Sequence, residues 1–118
     1  MAYIADRCQE TCSAPGTGAV TLLGAVAAYQ TFASGLGSVA LMIGYAMSDA
    51  TNWENGIGTF NGTTGVTRDT VLGSSNGGAL VNFTGTTNIW VNANARLLAG
   101  GSVSRAYVAA RGDRKSVV

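Results

Sequence analysis

Hydrophobic and polar residues alternate with a period of two along most of this chain. That is the spacing of β-strands with one face turned to a core. Over residues 38–47, Val39, Leu41, Ile43, Tyr45 and Met47 fall on one face. Ala40, Met42, Gly44 and Ala46 fall on the other, a face of small side chains suited to meeting a second layer. Over residues 51–60, Trp53 and Ile57 share one face, while Glu54, Gly56, Gly58 and Phe60 share the other. Gly56, Gly58 and Gly62 weigh against a helix by about 1 kcal/mol each relative to Ala. They suit a bent strand or a close backbone approach instead.

Turn chemistry separates the alternating runs. Asn61-Gly62 is a strong hairpin signal, because both central residues of the tightest hairpin turn need positive φ. Asn76-Gly77-Gly78 and Thr84-Gly85-Thr86 mark further breaks. The predicted strands are 5–12, 19–23, 29–32, 38–47, 51–60, 66–72, 79–83 and 88–92. About eight short strands with regular turns predict an all-β, single-domain β-sandwich or jelly-roll-like barrel, since strand edges must be paired or hidden. Trp53 and Trp90 read first as core anchors and second as interface anchors.

The module spans residues 1–95 and opens with a short N-terminal arm. A C-terminal extension covers 96–118. Leu97 to Gly101 reads as a join, and Val103, Arg105, Tyr107 and Ala109 alternate with Ser104, Ala106 and Val108, which predicts one more strand. Both ends are expected to extend as arms that reach a neighbour. The interface candidates are Tyr3 and Ile4 at the start, and Arg105, Tyr107, Arg111, Arg114 and Lys115 at the end.

Composition sharpens the reading. The chain has 118 residues, 47% of them hydrophobic, which is enough for one domain with a real core. Charged residues make up only 11%, against roughly 25% in ordinary soluble domains. A wide uncharged face is an association surface, and a homotrimer is the expected state. The net charge of +1 supplies no field to draw nucleic acid or an anionic membrane. The acidic Asp6 and basic Arg7 interrupt the place where a secretory apolar segment would begin. Two apolar runs within residues 19–47 are each shorter than the ~18 residues a spanning helix needs.

Candidate chemistry is sparse. There is no histidine, so the commonest general base and the commonest metal ligand are both missing. Cys8 and Cys12 lack the second ligand pair of a zinc site. On a strand, residues four apart lie about 13 Å from each other, beyond disulfide reach. They are expected to be free, structural thiols, as in a reducing cytosol. Asp49 and Glu54 form a conceivable carboxylate pair for glycoside hydrolysis. Pairing of Glu54 with Arg68 across neighbouring strands is the simpler expectation. Gly16-Thr17-Gly18 lacks the rest of a phosphate loop and reads as a turn. No enzyme and no cofactor are expected.

One ordered series of motifs goes further. It runs from Thr31-Phe32-Ala33 through Trp53-Glu54-Asn55-Gly56-Ile57-Gly58-Thr59 to Arg68-Asp69-Thr70-Val71-Leu72. Ser74-Ser75-Asn76-Gly77-Gly78 and Val81-Asn82-Phe83 complete it. With Ala5-Asp6-Arg7, Glu10-Thr11 and the Gly16 turn, this series resembles a recurrent module of tailed-bacteriophage virion proteins. The resemblance covers residues 3–92. It implies a structural role, with Trp53, Glu54, Gly56, Gly58, Arg68, Ser74, Ser75 and Asn76 as its structural signature. Cys8 and Cys12 depart from the pattern, and the extension has no counterpart in it.

Within that role the expectation is a capsid decoration (cement) protein, made in the bacterial host cytoplasm and carried on the virion surface, because the chain is short and shows neither a fibrous repeat nor a second domain for receptor binding. Its expected partners are the major capsid protein and other copies of itself, with no nucleic acid and no membrane. A tail fibre or baseplate component is the alternative. A carbohydrate-binding module, stacking sugars on Trp53, Trp90 or Tyr45, is a second alternative.

Overall fold

The structure is a computed structural model, and it describes residues 2–95. The extension 96–118, and with it Arg105, Tyr107, Arg111, Arg114 and Lys115, lies outside the described residues. Six strands form one antiparallel sheet: β1 (Gln9–Ser13), β2 (Val20–Thr21), β3 (Leu41–Ser48), β4 (Trp53–Phe60), β5 (Gly65–Ser74) and β6 (Thr86–Val91). Their spatial order is β1-β6-β3-β4-β5-β2. A five-residue helix, α1 (Phe32–Leu36), lies between β2 and β3.

The sheet curls until its two edges nearly meet. After β2 the chain passes directly to the free edge of β1. There Leu23 N donates to Thr11 O (2.9 Å), Thr11 N to Gly24 O (3.1 Å) and Val26 N to Gln9 O (2.9 Å). Closure of this kind hides backbone groups that an open edge would expose. The all-β expectation holds, in its barrel form.

Two predicted strands are absent, each for a visible reason. At 29–32, Thr31 caps a helix instead: its hydroxyl accepts from Ser34 N (3.1 Å). The Glu10 carboxylate then takes the Phe32 N–H at 2.8 Å. At 79–83 the residues do alternate, with Val81 and Phe83 buried and Leu80 and Asn82 exposed. The Val81 backbone, however, is bonded by side chains, and Phe83 makes only one bridge, to Gly16.

Of the face that carries Val39 to Met47, Ile43, Tyr45 and Met47 are fully buried within β3, while Val39, upstream of the strand, is exposed. The three buried residues pack with Phe32, Phe60, Val66, Phe83 and Ile89. On β4 the buried face is that of Glu54, Gly56, Gly58 and Phe60. Trp53 therefore points outward and is 48% exposed, which corrects the reading of it as core. Trp90 is half-buried on the outer face, opposite Ala46.

Asn61-Gly62 does turn the chain, but in a longer loop than the tightest hairpin. Only Gly62 has positive φ (95°). The Asn61 side chain closes the loop by accepting from Thr63 N and Gly65 N, both at 2.9 Å.

The N-terminal segment is not a free arm over residues 2–4. Tyr3 bridges to Ile43 in parallel, with Tyr3 N donating to Met42 O at 2.7 Å and Gly44 N donating to Tyr3 O at 3.3 Å. β6 covers the other half of the same β3 edge, so the segment has an unpaired stretch of strand to occupy.

Cys8 and Cys12 are both free and buried. Burial, and then Glu10, raise the Cys8 pKa. Burial pushes that of Cys12 up to about 11.

Candidate functional site

The signature residues converge on one buried cluster and on the loop that it holds. Glu54 on β4 is fully buried, and the Arg68 side chain on β5 is 1% exposed. Arg68 Nη2 donates to Glu54 Oε1 (2.7 Å) and Nε to Oε2 (3.0 Å). Tyr45 Oη on β3 donates to Glu54 Oε2 at 2.6 Å, and Val81 N donates to Oε1 at 2.8 Å. Each carboxylate oxygen thus accepts two bonds.

The guanidinium is equally complete. Nη1 donates to Gly16 O (2.8 Å) and Gly18 O (3.2 Å), and the second Nη2 hydrogen goes to Val81 O (2.6 Å). All five of its N–H donors are used. The cation also lies 5.6 Å from the centre of the Phe83 ring. A buried ion pair repays its desolvation only when its remaining hydrogen-bonding sites are filled, and here they are.

Titration follows from this geometry. Burial pulls the Glu54 pKa upward, but the bonds from Arg68, Tyr45 and Val81 outweigh it and hold the carboxyl below its usual value. Burial, then Glu54, push the Tyr45 hydroxyl far up, so it stays a neutral donor. With its acceptor sites filled, Glu54 is not one half of a glycosidase pair. Asp49 stands apart at a turn, accepting from Thr51 N (2.8 Å) and Asn52 N (2.7 Å).

Gly56 and Gly58 make room for the cluster. A Cβ at Gly56 would lie 2.1 Å from Thr70 O and 3.0 Å from Tyr45 Oη. A Cβ at Gly58 would lie 2.0 Å from Thr67 O. The two glycines sit at the register shifts between β4 and β5, where Asp69 and Leu72 of β5 are the extra residues. Such bulges bend and twist a strand, and here they carry Arg68 inward under Tyr45.

The cluster also fixes the loop after β5. Val81 is gripped at both its N–H and its C=O. Upstream, Ser74 Oγ donates to Ala79 O (2.5 Å) and accepts from Asn76 N (3.1 Å). Asn76 Nδ2 donates to Leu80 O at 2.8 Å. Gly77 and Gly78 supply the positive φ angles, 63° and 89°. Ser75 Oγ accepts from Trp53 N (3.1 Å) and donates to Asn52 Oδ1 (3.0 Å), tying the loop to the start of β4.

Between this loop and the β3–β4 turn lies a cleft of about 240 Å³, lined by Asn52, Ser75, Asn76, Val81 and Asn82. Reading the sequence alone singled out Ser75 and Asn76 but missed Asn52 and Asn82 as lining residues. Asparagines beside glycines read as turns, and only the fold brings Asn52 across to Asn82. Tyr45, offered as a sugar platform, is fully buried and unavailable for that role; Trp53 is exposed. Among the described residues no cluster of three metal-ligating side chains occurs, and no helix is long and apolar enough to cross a membrane.

At the opposite end of β4, the start of β3 gathers exposed apolar side chains. Tyr3 (52%), Ile4 (43%) and Met42 (46%) are exposed there, with Val39 just upstream of β3. Gly44 joins the N-terminal segment to the residue after β6, because its C=O also accepts from Asn92 N at 2.9 Å. Comparison with protein families, with curated proteins and with solved structures finds no match to this chain.

Proposed function

We propose that the chain is a non-enzymatic structural protein of a tailed-bacteriophage virion. In its most concrete form it is a capsid decoration protein that sits on the outer surface of the major capsid shell and stabilises it. The observation that supports the reading is the exposure of Tyr3, Ile4 and Met42 beside the β3 edge, where Tyr3 and Asn92 both bond Gly44. Aromatic and aliphatic side chains fixed by backbone bonds lose little freedom on docking, and such anchors carry much of an interface's energy.

Arg105, Arg111, Arg114 and Lys115 provide charge for an acidic surface, and Tyr107 a second aromatic anchor. Many copies, each bridging shell subunits, would stabilise the particle without any one contact being strong. A homotrimer at the shell's three-fold positions fits the low charge density. Free, buried thiols agree with assembly in the bacterial cytoplasm.

Cosedimentation tests this directly. The purified full chain, added to particles of its phage that lack it, should pellet with them and raise their heat resistance. Ile4→Asp and Met42→Asp variants should still fold but bind at least about tenfold more weakly, as expected when a charge enters an apolar contact. Undiminished binding by both variants would move attachment away from this end of the barrel.

A further inference from the structure

We infer that residues 23–31 form a strap that closes the barrel and opens as a unit while the sheet stays folded, with the buried carboxylate of Glu10 as its latch. The device is independent of what the protein docks on.

The strap lies along the edge of β1 that β6 leaves free. Besides the bonds that join it to Gln9 and Thr11 near its start, Gln9 N donates to Gln30 O (3.2 Å) and Gln30 N to Arg7 O (2.7 Å). No residue from 23 to 31 is buried, whereas Leu22 before the strap and Phe32 after it are. A segment held by backbone bonds with few buried apolar contacts sits at the low end of local stability. Ala28 adds to this, because its φ of 70° is left-handed and costly for a residue with a Cβ. On the solvent side the strap is stapled only by exposed contacts: Arg7 Nη2 donates to Ala28 O (2.8 Å), and the guanidinium lies 4.0 Å from the centre of the Tyr29 ring.

The latch sits inside. Glu10 points inward from β1 and is 3% exposed. Its Oε1 accepts from Gly24 N (3.1 Å), near the start of the strap, and its Oε2 from Phe32 N (2.8 Å), just past the end. Among the described residues no basic side chain lies within ion-pair distance of it. A buried charge is tolerated where hydrogen bonds satisfy it, and these two bonds fasten both ends of the strap. A carboxylate suits them because each oxygen accepts. A carboxamide of the same size has one acceptor and one donor, so it serves one N–H and opposes the other.

The hinges are the buried side chains at either end. Leu22 is also held by its N–H, which donates to Thr64 O (2.7 Å), and Phe32 packs against Phe60 with ring centres 6.0 Å apart. Opening between them bares the outward backbone groups of Gln9 and Thr11 as a free strand edge, on which a second chain can pair.

The test is native-state hydrogen exchange of the ¹⁵N-labelled full chain, read residue by residue by NMR. The amides of Gln9, Thr11, Leu23, Val26 and Gln30 should exchange at least about tenfold faster than the paired amides of β3 and β4, and with little dependence on urea, as local openings do. Glu10→Gln should speed the first group at least about tenfold further and leave the second unchanged. The wild-type pattern stands as a test even if the variant does not fold. Two outcomes would overturn the inference: strap amides that exchange with the rate and urea dependence of global unfolding, or a folded variant in which they are no faster or in which both groups accelerate together.

Discussion

Arg68 meets the carboxylate of Glu54 side-on, with Nε to Oε2 at 3.0 Å and Nη2 to Oε1 at 2.7 Å, and neither side chain touches solvent to a useful degree. Removing one partner leaves the other charge buried and unpaired, which costs about 3–5 kcal/mol. Glu54→Gln and Arg68→Met should each lower stability by about that amount in urea unfolding. The double substitution Glu54→Gln/Arg68→Met should cost less than the two singles added. Strict additivity would mean that the pair is not coupled as its geometry indicates.

Acid should weaken the fold through the same carboxyl. Its native pKa is held below the ordinary 4.5, because the bonds from its three partners outweigh the upward pull of burial. A carboxyl lowered in the native state contributes stability that is complete above its unfolded value and lost as pH falls through the native one. Stability should therefore hold above pH 4.5 and decline below it. Glu54→Gln should flatten that decline in a series of melting curves. An unchanged slope in the variant would assign the acid sensitivity to other groups.

Two glycines should behave unlike a third. At Gly56 and Gly58 an added Cβ meets backbone oxygens at 2.1 Å and 2.0 Å, and backbone cannot move aside as a flexible side chain does. Gly56→Ala and Gly58→Ala should each destabilise by at least about 2 kcal/mol. Gly85 has open space around it, so Gly85→Ala should stay within about 0.5 kcal/mol. Similar losses at all three positions would contradict the close approach of β5.

The contrast between these glycines and the loop asparagines shows where sequence is informative. The period of two in β3 and β4 located both strands and sorted their side chains into two faces, because side-chain alternation is a local property of extended chain. The Glu54–Arg68 pair was legible for the same reason: the two lie on neighbouring strands across one turn. Alternation does not say which face is inside. Trp53 was assigned to the core on size, yet its face lost to the one carrying Glu54, whose partners lie as far off as Val81 and Tyr45. Residues 79–83 alternate like a strand, but their backbone bonds go mainly to side chains from β4 and β5. Thr31 and the distant Glu10 together start a helix at Phe32, which ends the extended stretch after Gln30. The cleft was not legible because Asn52 and Asn82 become neighbours only through the fold.

The thiols should be inert in the folded chain. Burial holds the Cys12 pKa at about 11 and raises that of Cys8 as well. At pH 8 about one Cys12 in a thousand is then thiolate, the reactive form. A disulfide-exchange reagent should label neither cysteine in native protein and both in denaturant. Intact mass without reductant should show both thiols reduced. Rapid native labelling, or a mass lower by two hydrogens, would contradict their buried, unbridged state.

The proposed virion role rests finally on where the protein is found and in what number. Quantitative mass spectrometry of purified particles of its phage, with the major capsid protein as internal reference, measures both at once. A decoration protein should be present at a copy number comparable with that of the major capsid protein. A handful of copies per particle would move it to the tail or baseplate, and absence from the particle would contradict a structural role in the virion.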